Sequence, residues 1–136
     1  MGFFGKLFGS FEMNREIATT RMNIDSYERN IKEKIEEYKI KEDKLIKYEE
    51  INQHVLKKEI PSFYKLLEEG YIYKPELKKE IDGLVERFNL RTEEILKLEL
   101  ELLELDENIK EYEDKSLRLG TRLDTLETRR RFNRIK

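Results

Sequence analysis

The second half of the chain repeats apolar residues every seven positions, with charged residues between them. With Ile81 as position a of a heptad abcdefg, nearly all a and d positions are apolar or tyrosine. A seven-residue repeat of this length is typical of a left-handed coiled coil. It predicts one helix over 75–131. These positions hold Leu77, Ile81, Leu84, Phe88, Arg91, Ile95, Leu98, Leu102, Leu105, Ile109, Tyr112, Ser116, Leu119, Leu123 and Leu126.

A looser form of the same pattern runs through the first half. It predicts a second long amphipathic helix over 13–69. Pro61 should kink this helix, because proline lacks the N–H of a helical hydrogen bond. The two rows of core positions are Ile17, Ile24, Ile31, Tyr38 and Leu45, and Thr20, Tyr27, Ile35, Tyr48 and Val55, with Lys41 as a gap.

The connection between the two halves is short. Gly70 suits the left-handed residue that ends a helix, and Pro75 suits the first turn of the next one. A turn at 70–74 would therefore join antiparallel neighbours. We predict an all-α fold: a long antiparallel two-helix coiled-coil hairpin over 13–131, preceded by a short amphipathic N-terminal helix.

The two halves also agree in register. In an antiparallel hairpin the numbers of paired residues add up to a constant, here about 144 for a turn near residue 72. Asn52 then meets Arg91, so the two polar interruptions coincide and form a layer that fixes register. The apolar pairs predicted in the same way are Ile24–Leu119, Ile35–Ile109, Tyr38–Leu105, Leu45–Leu98 and Val55–Phe88.

Some apolar residues lie away from these rows. Leu96, Leu100 and Leu103, here called the outer stripe, are spaced i, i+4, i+7 on the far side of the second helix. One interpretation is that they are ordinary surface leucines. The other is that the stripe mediates self-association or docks a partner helix.

Composition narrows the classes of function. The chain is 43% charged and 38% hydrophobic and has no cysteine, which favours a long-helix protein of a reducing compartment. No apolar stretch approaches the length needed to span a bilayer. The sole histidine, His54, lacks the partners of a metal or catalytic site, so we expect no enzyme activity, no cofactor and no metal site.

Charge is unevenly distributed. Residues 99–114 form an acidic band, whereas residues 132–136 form a predicted basic tail that continues a run of arginines. The tail could be a solvated helix end, or could bind anionic lipid or a neighbour's acidic band. Nucleic acid is not an expected partner, because the body is acidic. The basic residues at this end are Arg129, Arg130, Arg131, Arg134 and Lys136.

The first residues contrast with the rest of the chain and read MGFFGKLFGSF. On a helical wheel the large apolar residues of segment 1–12 fall within one arc, and the glycines lie opposite. Glycine disfavours helix in water, so the free segment should be disordered until a surface receives it. That surface could be a protein hairpin or a membrane interface. The candidate membrane-binding residues are Phe3, Phe4, Lys6, Leu7, Phe8 and Phe11.

The stretch FGKLFG at 4–9, before a long helical hairpin, resembles the opening of ESCRT-III proteins and of the bacterial phage-shock protein A family. The resemblance implies a short amphipathic helix that binds a membrane and a hairpin that polymerises. It also implies filaments, rods or rings that remodel or protect the membrane.

Function is therefore predicted as a choice between two classes. The first is a peripheral membrane scaffold on the inner face of the cytoplasmic membrane, with copies of itself and anionic lipid as partners. The second is a soluble coiled-coil adaptor or chaperone-like module whose phenylalanines bind a helical protein partner. A structural subunit of a phage or plasmid system is a further alternative.

Overall fold

A computed structural model describes the backbone of residues 3–70 and 74–135, and side chains within 11–70 and 74–134. The elements are a helix α1 (Phe3–His54), a π-helical turn (Val55–Glu59), a helix α2 (Ile60–Glu69) and a helix α3 (Lys74–Ile135). The two long helices, α1 and α3, pack against each other. The predicted all-α hairpin is confirmed.

Helix α1 is long because no proline or glycine occurs between Gly9 and Pro61. Just before Pro61 the helix widens into the π-helical turn, where the N–H of Ile60 bonds to the carbonyl of Val55. This wider turn accommodates the proline, whose ring would clash with the carbonyl four residues earlier in an α-helix. The disturbance predicted at Pro61 is thus a π-helical turn that directly precedes it.

Helix α2 ends at Gly70, which has φ of 72° and donates its N–H to the carbonyl of Leu67 at 3.3 Å. Only glycine adopts this left-handed conformation without steric cost. Residues 71–73 of the predicted turn lie outside the described residues, and its last residue, Lys74, is already the first residue of α3.

The helices extend further than predicted at both ends of the chain. Helix α1 starts at Phe3, so the predicted segment 1–12 and the predicted helix from 13 are continuous. Helix α3 runs to Ile135, past the predicted end at 131 and into the predicted tail 132–136. No proline or glycine follows Gly120, so nothing in the sequence ends the helix earlier.

The chain divides into two compact units. Unit 1 comprises Met1–Glu36 and Leu105–Lys136. Antiparallel packing in unit 1 is shown by contacts between its two helical segments: Asn14 bonds to Arg130, and the later residue Tyr27 contacts the earlier residue Tyr112. The core residues with the least exposure in this unit are Ile17, Thr20, Leu105 and Leu126.

Unit 2 comprises Glu37–Glu104. Its helical segments are also antiparallel, since Lys41 pairs with Glu101 and the later residue Asn52 bonds to the earlier residue Arg91. The buried residues of this unit are Asn52, Val55, Leu77, Leu84, Leu98 and Leu102. In both units every predicted a and d residue of α3 is buried or half-buried.

The structure differs from the predicted rows of α1 at one position. Ile35 is exposed, and Lys34 is half-buried in its place. The reason is geometric, because a strict seven-residue repeat between Tyr27 and Lys41 falls on residue 34. The predicted core position of Ile35 is therefore wrong, and two lysines, Lys34 and Lys41, occupy successive d positions.

Candidate interaction surfaces

The predicted membrane-binding segment belongs to α1, whose backbone is helical from Phe3 onward. Phe11 is 66% exposed, so its ring is not part of the core. The side chains of the other candidates lie outside the described residues: Phe3, Phe4, Lys6, Leu7 and Phe8.

The basic residues near the C-terminus have two different environments. Arg130 is half-buried and donates a hydrogen bond to Asn14 Oδ1 at 3.4 Å, which places it beside the first turns of α1. Lys136 lies outside the described residues. Three arginines are exposed and have no carboxylate within 4.0 Å in the part of the chain that the structure describes: Arg129, Arg131 and Arg134.

The N-terminal segment and the C-terminal arginines occupy the same end of unit 1. The bond between Asn14 and Arg130 and the ion pair between Glu16 and Arg122 bring the start of α1 next to the end of α3. The exposed Phe11 and the C-terminal arginines thus belong to the same end of unit 1.

The outer stripe lies in unit 2 and is exposed throughout. Leu96, Leu100 and Leu103 are 56%, 68% and 62% exposed, whereas Leu98 and Leu102 on the same helix are 5% and 8% exposed. The contrast confirms that α3 has one buried and one exposed apolar row here. Ile46 of α1 is also 44% exposed in this unit.

Acidic side chains flank the outer stripe. Glu93 continues its line by one turn, and Glu99 lies between its leucines in sequence. Among residues 11–70 and 74–134, neither carboxylate has a lysine or arginine nitrogen within 4.0 Å. The stripe is therefore an apolar surface with unneutralised negative charge at its border.

The predicted polar layer lies in unit 2. Arg91 Nη1 donates to Asn52 Oδ1 at 3.2 Å, and Asn52 Nδ2 donates to Thr92 Oγ1 at 3.2 Å. The Thr92 hydroxyl donates in turn to the carbonyl of Phe88 at 3.0 Å. Asn52 is only 6% exposed, and these bonds give both its amide oxygen and its amide nitrogen a partner.

A second polar contact in unit 2 surrounds Lys41. Its ammonium donates to Glu101 Oε2 at 2.8 Å and lies 3.4 Å from Glu37 Oε1. The hydrogen bond with Glu101 raises the pKa of Lys41, and the same bond lowers the pKa of Glu101. Lys41 thus spans a core position with its stem and reaches carboxylates at the border of the helix pair.

Unit 1 contains an aromatic cluster that the sequence pattern did not reveal. The ammonium groups of Lys34 and Lys115 lie 5.7 Å and 5.9 Å from the ring centroid of Tyr112. The Tyr27 ring is 5.6 Å away and tilted by 41°. Cations at this distance are attracted to the face of an aromatic ring. The exact heptad spacing from Tyr27 was the available signal for Lys34, but a lysine does not suggest a core residue.

Replacement of Lys41 by leucine should stabilise the protein. Leucine would fill the d position with apolar surface, and an ion pair at the solvent-accessible border of the helix pair contributes little in return. We expect the midpoint of thermal unfolding, followed by circular dichroism, to rise by about 3 °C.

Replacement of the exposed Lys39 by leucine is the matched control and should leave the midpoint unchanged. The advantage of the Lys41 variant should also depend on pH. Because the pKa of Glu101 is lowered, the ion pair stabilises the wild-type protein above about pH 4.5, and this stabilisation is lost as the pH falls. Because the pKa of Lys41 is raised, the stabilisation is also lost as the pH rises above 10.5. A fall in the midpoint of Lys41→Leu would contradict the assignment of residue 41 to the core row.

Neither metal-binding nor membrane-spanning features are found in the part of the chain that is described. His54 is exposed and lies 3.6 Å from Glu59, across the π-helical turn. No group of three or more His, Cys, Asp or Glu residues there could hold a metal ion. No helix there is both long enough and apolar enough to cross a bilayer.

These features define a helical-hairpin protein with an exposed apolar row in unit 2 and exposed arginines near the end of α3. Comparison with known proteins yields no match to a family model, a curated protein or a solved structure. The likeness to ESCRT-III and phage-shock protein A therefore rests on the N-terminal residues and the hairpin architecture.

Proposed function

We propose that this chain is a peripheral, self-assembling helical scaffold that binds the inner face of the cytoplasmic membrane and remodels or protects it. The observation that supports this most is the exposure of Phe11, 66%, in a helix that starts at Phe3. Phe11 ends the apolar arc predicted for segment 1–12, and a helix with such an arc lies in the plane of a lipid interface.

One copy would bind a membrane weakly. Each large apolar side chain contributes at most about 1.5–3 kcal/mol when fully buried, and ordering each residue of the segment costs about 1–2 kcal/mol. An assembly of copies overcomes this limit, because the second and later segments bind at a high effective concentration. Membrane binding and self-association would thus act together, and the outer stripe is a surface available for self-association.

The proposal is tested by sedimentation with anionic and neutral liposomes. We expect the wild-type chain to pellet with anionic vesicles, and both Phe4→Asp and deletion of residues 1–11 to reduce the bound fraction by at least about tenfold. An aspartate at this depth would have to be desolvated, which opposes insertion. Electron micrographs of the pellet should show filaments, rings or deformed vesicles.

Leu117→Asp is the matched control, since it places the same charge on an exposed apolar residue of α3. It should pellet like the wild type. Equal pelleting of Phe4→Asp and wild type would refute membrane insertion through this segment.

The second candidate function is a coiled-coil adaptor that binds a helical protein. The exposed outer stripe favours it, because its i, i+4, i+7 leucines suit helix-on-helix packing. A discrete complex with no dependence on lipid would distinguish this function from the scaffold.

A further inference from the structure

We infer that the outer stripe of one copy docks the C-terminal end of α3 from a second copy, through Arg131 and Arg134. The inference rests on the proposed function, because it names the contact through which the scaffold would assemble. It makes the contact heterologous, joining unit 2 of one copy to unit 1 of the next.

The first step concerns the edges of the helix pair. In unit 1 the ion pair of Arg21 with Glu127 joins two e positions, and that of Glu16 with Arg122 joins two g positions. This is the pairing that antiparallel heptads require. In unit 2 the e positions of both helices therefore lie along one edge of the helix pair, and the g positions lie along the other.

The second step concerns the charge of the e edge in unit 2. It contains Glu42 and Glu49 from α1 and Glu99 from α3, and the b and f positions beside it hold the outer stripe and Glu93. Lys39 lies on the same side, Lys97 borders the position of Leu100, and Lys78 occupies an e position of α3 three heptads before Glu99. Within the described ranges, none of these four glutamates forms an ion pair. The edge thus has carboxylates on both helices and no bridging cation.

The third step excludes pairing of this surface with itself. Two copies facing each other through the stripe would bring their carboxylates together, and like charges across an interface oppose association. The occupant must supply cations and some apolar surface on a helix.

The fourth step identifies that helix. Arg131 and Arg134 are exposed residues of α3 in unit 1 without a carboxylate partner in the described chain, and their i, i+3 spacing puts them on one face. This face therefore matches the stripe in charge, and the aliphatic stems of its arginines can cover leucine surface.

The geometry of the contact has a consequence for assembly. Two different surfaces meet, so each copy retains a free stripe and a free arginine face after binding one neighbour. Contacts of this kind continue into open polymers unless a rotation closes them into a ring.

The test is lipid-free assembly of the full chain, followed by sedimentation velocity at low salt. We expect Arg131→Glu with Arg134→Glu to raise the protein concentration needed for assembly by at least about tenfold. Glu93→Lys with Glu99→Lys should do the same, and an equal mixture of the two double variants should assemble again. Glu68→Lys with Glu69→Lys, on exposed residues of α2, is the control for added positive charge and should assemble like the wild type.

Four outcomes are decisive. Recovery in the mixture supports the contact, because only opposite charges on different copies can restore it. Assembly of both double variants at the wild-type concentration overturns the inference and leaves the scaffold proposal standing. Unchanged lipid-free assembly of the arginine variant, with weaker binding to anionic vesicles, overturns it in favour of a lipid contact. A wild-type chain that stays monomeric overturns both the inference and self-assembly in the proposed function.

Discussion

Replacement of Leu98 by alanine should lower the free energy of unfolding by about 3 kcal/mol. Leu98 is 5% exposed and occupies a d position in unit 2. In a pair of helices each core side chain has few neighbours, so these neighbours cannot all move inward to fill the space of the lost isopropyl group. The measurement is urea unfolding followed by circular dichroism at 222 nm.

The controls for this prediction lie two residues away on either side, on the opposite face of the same helix. Leu96→Ala and Leu100→Ala remove the same atoms from sites that are 56% and 68% exposed. We expect each to change the free energy of unfolding of the monomer by less than about 0.5 kcal/mol. Equal losses at positions 96 and 98 would mean that the outer stripe is covered in solution.

Replacement of Asn52 by leucine should lower the free energy of unfolding by about 1–2 kcal/mol. The guanidinium of Arg91 would lose its acceptor, the Oδ1 atom 3.2 Å from Nη1, and Thr92 would lose a donor. The double variant Asn52→Leu with Arg91→Leu should regain this loss or exceed wild-type stability, because an apolar pair needs no hydrogen bonds.

A double-mutant cycle by urea unfolding measures the coupling between the two residues. The double variant should also lose specificity. A buried polar layer selects one alignment of helices, and its removal allows other registers and oligomers, visible by light scattering. Additive losses, with a single oligomeric state, would contradict a register role for this layer.

Much of the fold was predictable because apolar residues in α3 keep strict heptad spacing. The same spacing in α1 is interrupted by lysines, so the sequence suggested Ile35 where the structure uses Lys34. The long stem of a lysine can line a core row while its ammonium reaches Tyr112 or a carboxylate, and hydropathy alone does not reveal this.

Pro61 predicted a disturbance in the first helix but not its form. A kink, a break and a π-helical turn each accommodate the hydrogen bond that proline cannot donate, and packing of the neighbouring side chains decides which of them forms. The exposure of the outer stripe was also predictable from a helical wheel. The partner helix that we infer for the stripe was not predictable, because that inference depends on charges brought together from both helices.

The π-helical turn at Val55–Glu59 has a consequence for the phase of the repeat. Up to Val55 the core residues of α1 follow heptad spacing, which would next place residues 59 and 62 inward. At the end of the turn Glu59 and Ile60 are both half-buried, and beyond it Phe63 is half-buried, one position later, while Ser62 is exposed. The chain from α1 to α2 thus contains one residue more than continuous heptads need. The wide turn takes up this extra residue, so that the apolar face of α2 is again directed towards α3.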